Sequence, residues 1–138
     1  MKAQNMGGNF VFIASKNGLV ASANASAYCV AKAAEIQLSR CVALEGAPLG
    51  IRSNVVNPDA VLKGSKIWSG KWKEERASAY NLDTESLEDH YKQRSMLKLS
   101  VLPEDIAEGV YFFVSDQSAK STGNVLNVDA GHAPSFTR

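Results

Sequence analysis

Cysteine is almost missing from this chain of 138 residues: there are two, Cys29 and Cys41. Both fall in one helix-patterned stretch, where a rise of about 1.5 Å per residue sets them roughly 18 Å apart, beyond disulfide reach. A disulfide-stapled scaffold is excluded, and both are expected to be small buried fillers in a reducing compartment, the cytoplasm. Histidine is equally sparse. His90 and His132 share no ligand spacing with each other or with a cysteine, so no metal site is expected. An excess of one charge is also lacking: the net charge of +1 offers no footprint for nucleic acid or an anionic membrane. No apolar run approaches the roughly 18 residues of a membrane-spanning helix. The first eight residues, Met1 to Gly8, lack the apolar core of a signal peptide.

What is present is the composition of one globular domain, with 45% apolar and 21% charged residues. No internal repeat or low-complexity segment interrupts it. Apolar runs alternate with helical stretches, the pattern of parallel β-α-β units. The first predicted strand covers 10–14, and a helix covers 25–44, stopped near Gly46 and Pro48. Its expected apolar stripe is Ala31, Ala34, Leu38, Cys41 and Val42. A second strand covers 51–56 and is closed by Asn57 and Pro58. The polar stretch 62–100 is expected to hold two short helices, the second opened by Asp83 with Leu87 and Tyr91 on one face. Pro103 suits the first turn of a further helix, with Glu104 and Asp105 at its positive end and Ile106, Val110, Phe113 and Val114 as its buried stripe. A third strand covers 124–128, and the tail after Gly131 reads as loose. Three parallel strands make a thin sheet, and residues 10–13 are apolar on both faces with no upstream strand to pair with. The sequence reads as a piece of a larger sheet.

One constellation carries chemistry. Ser15 ends the first apolar run, Tyr28 follows thirteen residues later, and Lys32 lies one helical turn beyond it. A hydroxyl, a phenol and an ammonium are thereby expected at the carboxyl end of a parallel strand, where open α/β sheets bind their ligands. A phenol with a pKa of about 10 is a poor base near neutrality. An ammonium about 4 Å away favours its phenolate by roughly 4 kcal/mol at an effective dielectric near 20, enough to bring Tyr28 towards acid–base work. Ser15 would hold the substrate oxygen beside the phenol. A tyrosine and lysine at helical spacing are more often an amphipathic surface pair; the preceding strand, the serine and the second strand ending in Asn57-Pro58 favour a site.

In this context the sequence resembles the short-chain dehydrogenase/reductase family, specifically its C-terminal half. Ser15, Tyr28 and Lys32 match the family's catalytic serine, tyrosine and lysine in type, order and spacing. The segment 54–58 resembles the strand leading to its Pro-Gly turn, while 103–107 and 121–131 resemble its last helix and closing strand. The resemblance implies Tyr28 as acid–base, Lys32 and Tyr28 on the nicotinamide ribose, and Pro58, Asp59, Ala60 and Val61 against the nicotinamide. It implies NAD as cofactor, with NADP left open, and a homo-oligomer paired through the 25–44 helix. Asp59 stands where the family usually has glycine, and Lys63 or Gly64 where a threonine often lies. No Gly-x-Gly-x-x-Gly turn follows a strand, and neither the adenosine-ribose selector nor the family's catalytic asparagine is found. The expected fold is therefore α/β: the C-terminal half of a Rossmann-type doubly wound sheet, three parallel strands with flanking helices, its N-terminal nucleotide-binding half absent. Residues 1–138 form that partial domain.

The segment 57–76 resembles more narrowly the dehydrogenase domain of bifunctional rhamnulose-1-phosphate aldolase/short-chain dehydrogenases, which implies oxidation of lactaldehyde in deoxysugar catabolism. The alternatives are a sugar-alcohol or 3-oxoacyl reductase, or a non-catalytic dimerisation module. Within 62–100, Lys63, Lys66, Lys71, Lys73 and Arg76 with Trp68 and Trp72 fit a lid over a small alcohol or aldehyde, an anion-binding patch, or a solvated helix whose tryptophans pack on the core.

Overall fold

A computed structural model describes residues 1–136. Its strands are β1 (Gly8–Ile13), β2 (Ile51–Pro58) and β3 (Val125–Val128), and its helices are α1 (Ser26–Gly46), α2 (Lys71–Ala79), α3 (Leu87–Arg94) and α4 (Pro103–Val114). The strands form one parallel sheet in the order β1-β2-β3, with Val55 beside both Phe12 and Val125. The sheet, the long helix and the paired short helices of 62–100 follow the sequence expectation.

Side-chain alternation along β2 fixes the layers. Val55 meets Ile36 of α1 and forms a core with Ala14, Phe12 and Val125. On that same face Ser53 shares a 2.9 Å hydrogen bond with Ser39 of α1. Val56 points the other way, with Val128 and Leu126, towards Gly109 of α4. Helices thus cover both faces of the sheet, and β2, buried almost throughout, is its centre. Its polar side chains bond across the sheet: Asn54 accepts from the Asn124 amide and donates to the Ser121 carbonyl, and Asn57 donates to Asn127 while its own Oδ1 stays buried without a partner. β1 is an edge strand, and Phe10 and Ile13 remain 42% exposed.

Helix ends follow local chemistry. Pro103 opens α4, and the Asp105 carboxylate accepts the Leu102 amide at 2.8 Å. α1 ends against β2, where a Cβ on Gly46 would lie 2.9 Å from that of Ile51.

Several expectations are corrected. The face of α1 turned to the sheet is Ile36, Ser39, Ala43 and Gly46, whereas Ala31, Ala34, Leu38 and Cys41 are exposed and Val42 is half-buried. The helix carries two faces of small or apolar residues. The sheet takes the one whose Ser39 finds a partner in Ser53, because a satisfied hydroxyl is cheap to bury. Cys41 is accordingly no buried filler, and Cys29 is half-buried. In α4 Phe113 and Gly109 are buried, and Val114 turns outward. Asp83 holds the Ser86 amide at 2.7 Å in the turn before α3 and does not cap the helix itself. From Gly131 to Phe136 the tail is not loose, and the rest of that expectation lies outside the described residues. Ser135 donates to Asp129 at 2.6 Å, Asn127 donates to the Ser135 carbonyl at 2.8 Å, and His132 and Ser135 are buried.

Candidate active site

Ser15 leaves the end of β1 with an extended backbone. Its Oγ accepts the Asn17 amide at 3.2 Å and caps the short 3-10 turn Lys16–Gly18, so its own proton stays available for a second partner. Gly18 lets this turn lie flat on α1: a Cβ there would sit 2.8 Å from the Lys32 carbonyl oxygen and 2.6 Å from the Ile36 side chain. Tyr28 is in the first turn of α1, and its ring packs 5.6 Å from that of Trp72. Lys32 lies one turn on, its ammonium 3.0 Å from the Ile13 carbonyl and 3.0 Å from both carboxylate oxygens of Glu35. Those contacts fix Lys32 beside the end of β1 and engage all three of its donors.

Ser15 and Tyr28 open onto one cavity of about 380 Å³ at the carboxyl ends of β1 and β2. Pro58, Asp59, Ala60 and Val61 form its neighbouring wall. Ala60 adopts the left-handed conformation with φ +49°, a strained turn for a residue with a Cβ. Lys32 is not on the cavity wall. The far wall comes from 62–100, through Ile67, Trp68, Trp72, Arg76, Tyr80 and Tyr91. Trp68 packs on Tyr91 at 5.5 Å, and Arg76 lies against the rings of Trp72 and Tyr80. Both tryptophans line the cavity, while Lys71, Glu74, Glu75 and Ser78 of α2 are exposed to solvent.

Asp59 forms a 3.2 Å ion pair with Lys16, and Lys16 also reaches His132 at 3.4 Å. Burial lowers the Lys16 ammonium from its ordinary value, and Asp59 opposes that shift. Burial likewise lowers His132, reinforced by the Lys16 charge. Lys16, Asn17, Tyr80 and Tyr91 also line the cavity, and none of them was legible as a site residue. The available signal was a lysine directly after Ser15 at an apolar strand end, together with an acid at 59.

The residues present fit the nicotinamide end of the dinucleotide that the resemblance implies. The cavity is open at two strand ends, has apolar walls in Ile13, Pro58 and Val61, and holds a phenol and a hydroxyl on one side. Among the described residues no glycine-rich turn between a strand and a helix exists to hold a pyrophosphate.

Comparison with known proteins gives a consistent result. A family profile described as enoyl-(acyl carrier protein) reductase matches residues 1–133. The uncharacterized oxidoreductase YuxG of Bacillus subtilis is 51% identical over 138 residues, covering all of this chain and 20% of that protein. The NAD-dependent glycerol dehydrogenase of Listeria innocua is 30% identical over 128 residues, 91% of this chain and 44% of that protein. Among solved structures, sorbitol-6-phosphate 2-dehydrogenase of Erwinia amylovora superposes with a TM-score of 0.88 at 28% identity, over 96% of this chain and 51% of its own. The chain therefore spans about half the length of most relatives it matches, and a fifth of one.

Proposed function

Because the chain belongs to the short-chain dehydrogenase/reductase family, we propose that Ser15, Tyr28 and Lys32 serve a nicotinamide-dependent oxidation of a short hydroxylated substrate. The supporting observation is the convergence of Ser15 and Tyr28 on one cavity beside the Pro58–Val61 turn. Ser15 donates its free proton to the substrate oxygen and holds it beside the phenol. Tyr28 takes the hydroxyl proton as the carbonyl forms and returns it in the reverse direction. A nicotinamide held beside Pro58, Asp59, Ala60 and Val61 would supply the hydride acceptor for that carbon. Lys32, tied to Ile13 and Glu35, would exchange one of those contacts for the nicotinamide ribose that the family resemblance implies it holds.

The oxidation carries over to an aldehyde once it is hydrated, since the hydrate is itself an alcohol. Lactaldehyde, which the narrower resemblance implies, and short sugar alcohols are the substrates to try first. NAD is the favoured cofactor, supported by the NAD-dependent Listeria innocua relative. The exposed apolar face of α1, with Val30, Leu38 and Leu44, is the surface for a second copy of the chain. No helix among the described residues is long and apolar enough to cross a membrane.

The test is NADH formation by the full-length protein as encoded, with lactaldehyde, glycerol and 3-hydroxybutyrate as substrates. Tyr28→Phe should reduce turnover by at least about 100-fold, the lower range for loss of a general acid–base, while the circular dichroism spectrum is unchanged. Retained turnover would reject the assignment.

A further inference from the structure

A second cleft of about 560 Å³ lies between the loop 20–24, the ends of α2 and α3, and the turn at 132–134. It shares Lys16, Ser22, Arg76 and Tyr80 with the Tyr28 cavity, so the two spaces meet at those side chains. Every charged or titratable nitrogen group on its wall is basic: Lys16, Arg76, Arg94, His90 and His132. No carboxylate lines it. Three of these groups are deeply buried, with Lys16 at 5%, Arg76 at 6% and His132 at 7% exposure.

Among the described residues two acids near this wall act on Lys16 and His132 only: Asp129 faces His132 alone, and Asp59 faces both. Asp59 pairs with Lys16 and stands 4.0 Å from His132. Arg76 and Arg94 have no carboxylate partner there. Arg76 donates to the Ala23 carbonyl at 3.2 Å, its Nε has no hydrogen-bond partner, and the rings of Trp72 and Tyr80 hold its plane. Arg94 donates to the Tyr80 hydroxyl at 3.3 Å and lies on the Tyr91 ring. The His90 Nε2 on the same wall is also buried without a partner. Buried charge is costly unless it is paired. Two oriented guanidiniums with spare donors form a cradle that a carboxylate or phosphate completes.

We propose that the substrate carries an acidic group, a carboxylate or a phosphate, bound in this cleft by Arg76 and Arg94 while its hydroxyl-bearing carbon lies at Tyr28. The span is short. The Trp72 ring lies 5.6 Å from the Tyr28 ring and 5.4 Å from the Arg76 guanidinium, so both flank one indole, and Arg76 lines the Tyr28 cavity as well as the cleft. Lactaldehyde would fill the Tyr28 end alone; a hydroxy acid or sugar phosphate a few carbons longer fills both. The inference rests on the dehydrogenase reading above.

The experiment compares kcat/KM of the full-length protein for lactaldehyde, 3-hydroxybutyrate and glycerol 3-phosphate, in the wild type and in Arg76→Gln and Arg94→Gln. Inorganic phosphate and acetate are added as inhibitors, and their binding is followed by tryptophan fluorescence. An acidic substrate should be preferred over lactaldehyde by tenfold or more. Each variant should cut that preference by about ten- to a hundredfold, as for loss of a charge-assisted hydrogen bond, chiefly through KM. The favoured acidic substrate and the competing anion tell phosphate from carboxylate. Equal handling of neutral and acidic substrates overturns the proposal. So does an unchanged preference in Arg94→Gln, or anion binding that does not compete with substrate, which would make the cleft a separate effector site. If no substrate is turned over, loss of saturable anion binding in either variant supports the cradle, and its absence in the wild type overturns it. Activity surviving in Tyr28→Phe would instead reject the dehydrogenase reading while leaving anion binding intact.

Discussion

Replacing Asp59 with asparagine leaves the shape of the turn unchanged and strips a buried ammonium of its counter-charge. The Lys16 and Asp59 side chains are 7% and 13% exposed, and their charged atoms are 3.2 Å apart. At an effective dielectric near 20 that separation corresponds to about 5 kcal/mol of attraction. Most of it offsets the desolvation of the two ions, so the pair itself contributes little net stability. Breaking a buried pair from one side is different, and costs about 3–5 kcal/mol. His132 and the Arg94 charge also face Lys16 and give no relief. Asp59→Asn is therefore expected to cost about 3 kcal/mol, the low end because solvent reaches Asp59. Lys16→Met added to it removes the stranded charge and should bring the double variant within about 1 kcal/mol of wild type. The sign with pH follows from the lowered Lys16 value. The penalty of the stranded ammonium is full below its folded pKa and shrinks as pH rises towards the ordinary 10.5. Urea unfolding followed by tryptophan fluorescence, with all four corners of the double-mutant cycle, measures this. A cost for Asp59→Asn below about 1 kcal/mol, or a double variant less stable than the single, would refute the argument.

Three further outcomes are expected. Gly18→Ala pushes a methyl against the Lys32 carbonyl oxygen. It should cost about 1–3 kcal/mol in unfolding experiments, as overpacking does, and lower kcat because the Ser15 turn is displaced. Stability should increase with pH up to about 6.5, because the lowered values of His132 and His90 make their protonation unfavourable in the folded state. His132→Asn, which removes a group facing Lys16, Asp59, Arg94 and Asp129, should flatten part of that slope in thermal melts between acid and neutral pH. Finally, Leu38→Glu on the outer face of α1 should shift the protein to a smaller species in light scattering with little loss of stability, since Leu38 is exposed within the chain; an unchanged molar mass would remove α1 as the pairing surface.

The strand and helix pattern, the parallel sheet and the meeting of Ser15 and Tyr28 at one cavity were legible in the sequence, because each depends on local periodicity or on one spacing along the chain, whereas Lys32 lies off the cavity wall. The apolar run at 10–14 and the β-branched Ile51, Val55 and Val56 of 51–56, each too short for a helix and bounded by turn residues, read as strands, and a tyrosine and lysine four apart share a helix face wherever the helix goes. Tertiary structure alone decided what no local pattern encodes. α1 carries two faces of small and apolar residues, and only the sheet, through Ser53, selected the Ser39 side for burial. The tail is ordered by Asp129 and Ser135, short-range bonds whose value comes from the burial of His132 against Lys16. Asp59 is an unusual residue after a proline in the sequence and the counter-ion of a lysine 43 positions away in the fold. The excess of positive charge at Arg76 and Arg94 is invisible in a net charge of +1. Composition counts charges, and only packing determines which of them are left in a cleft without a partner.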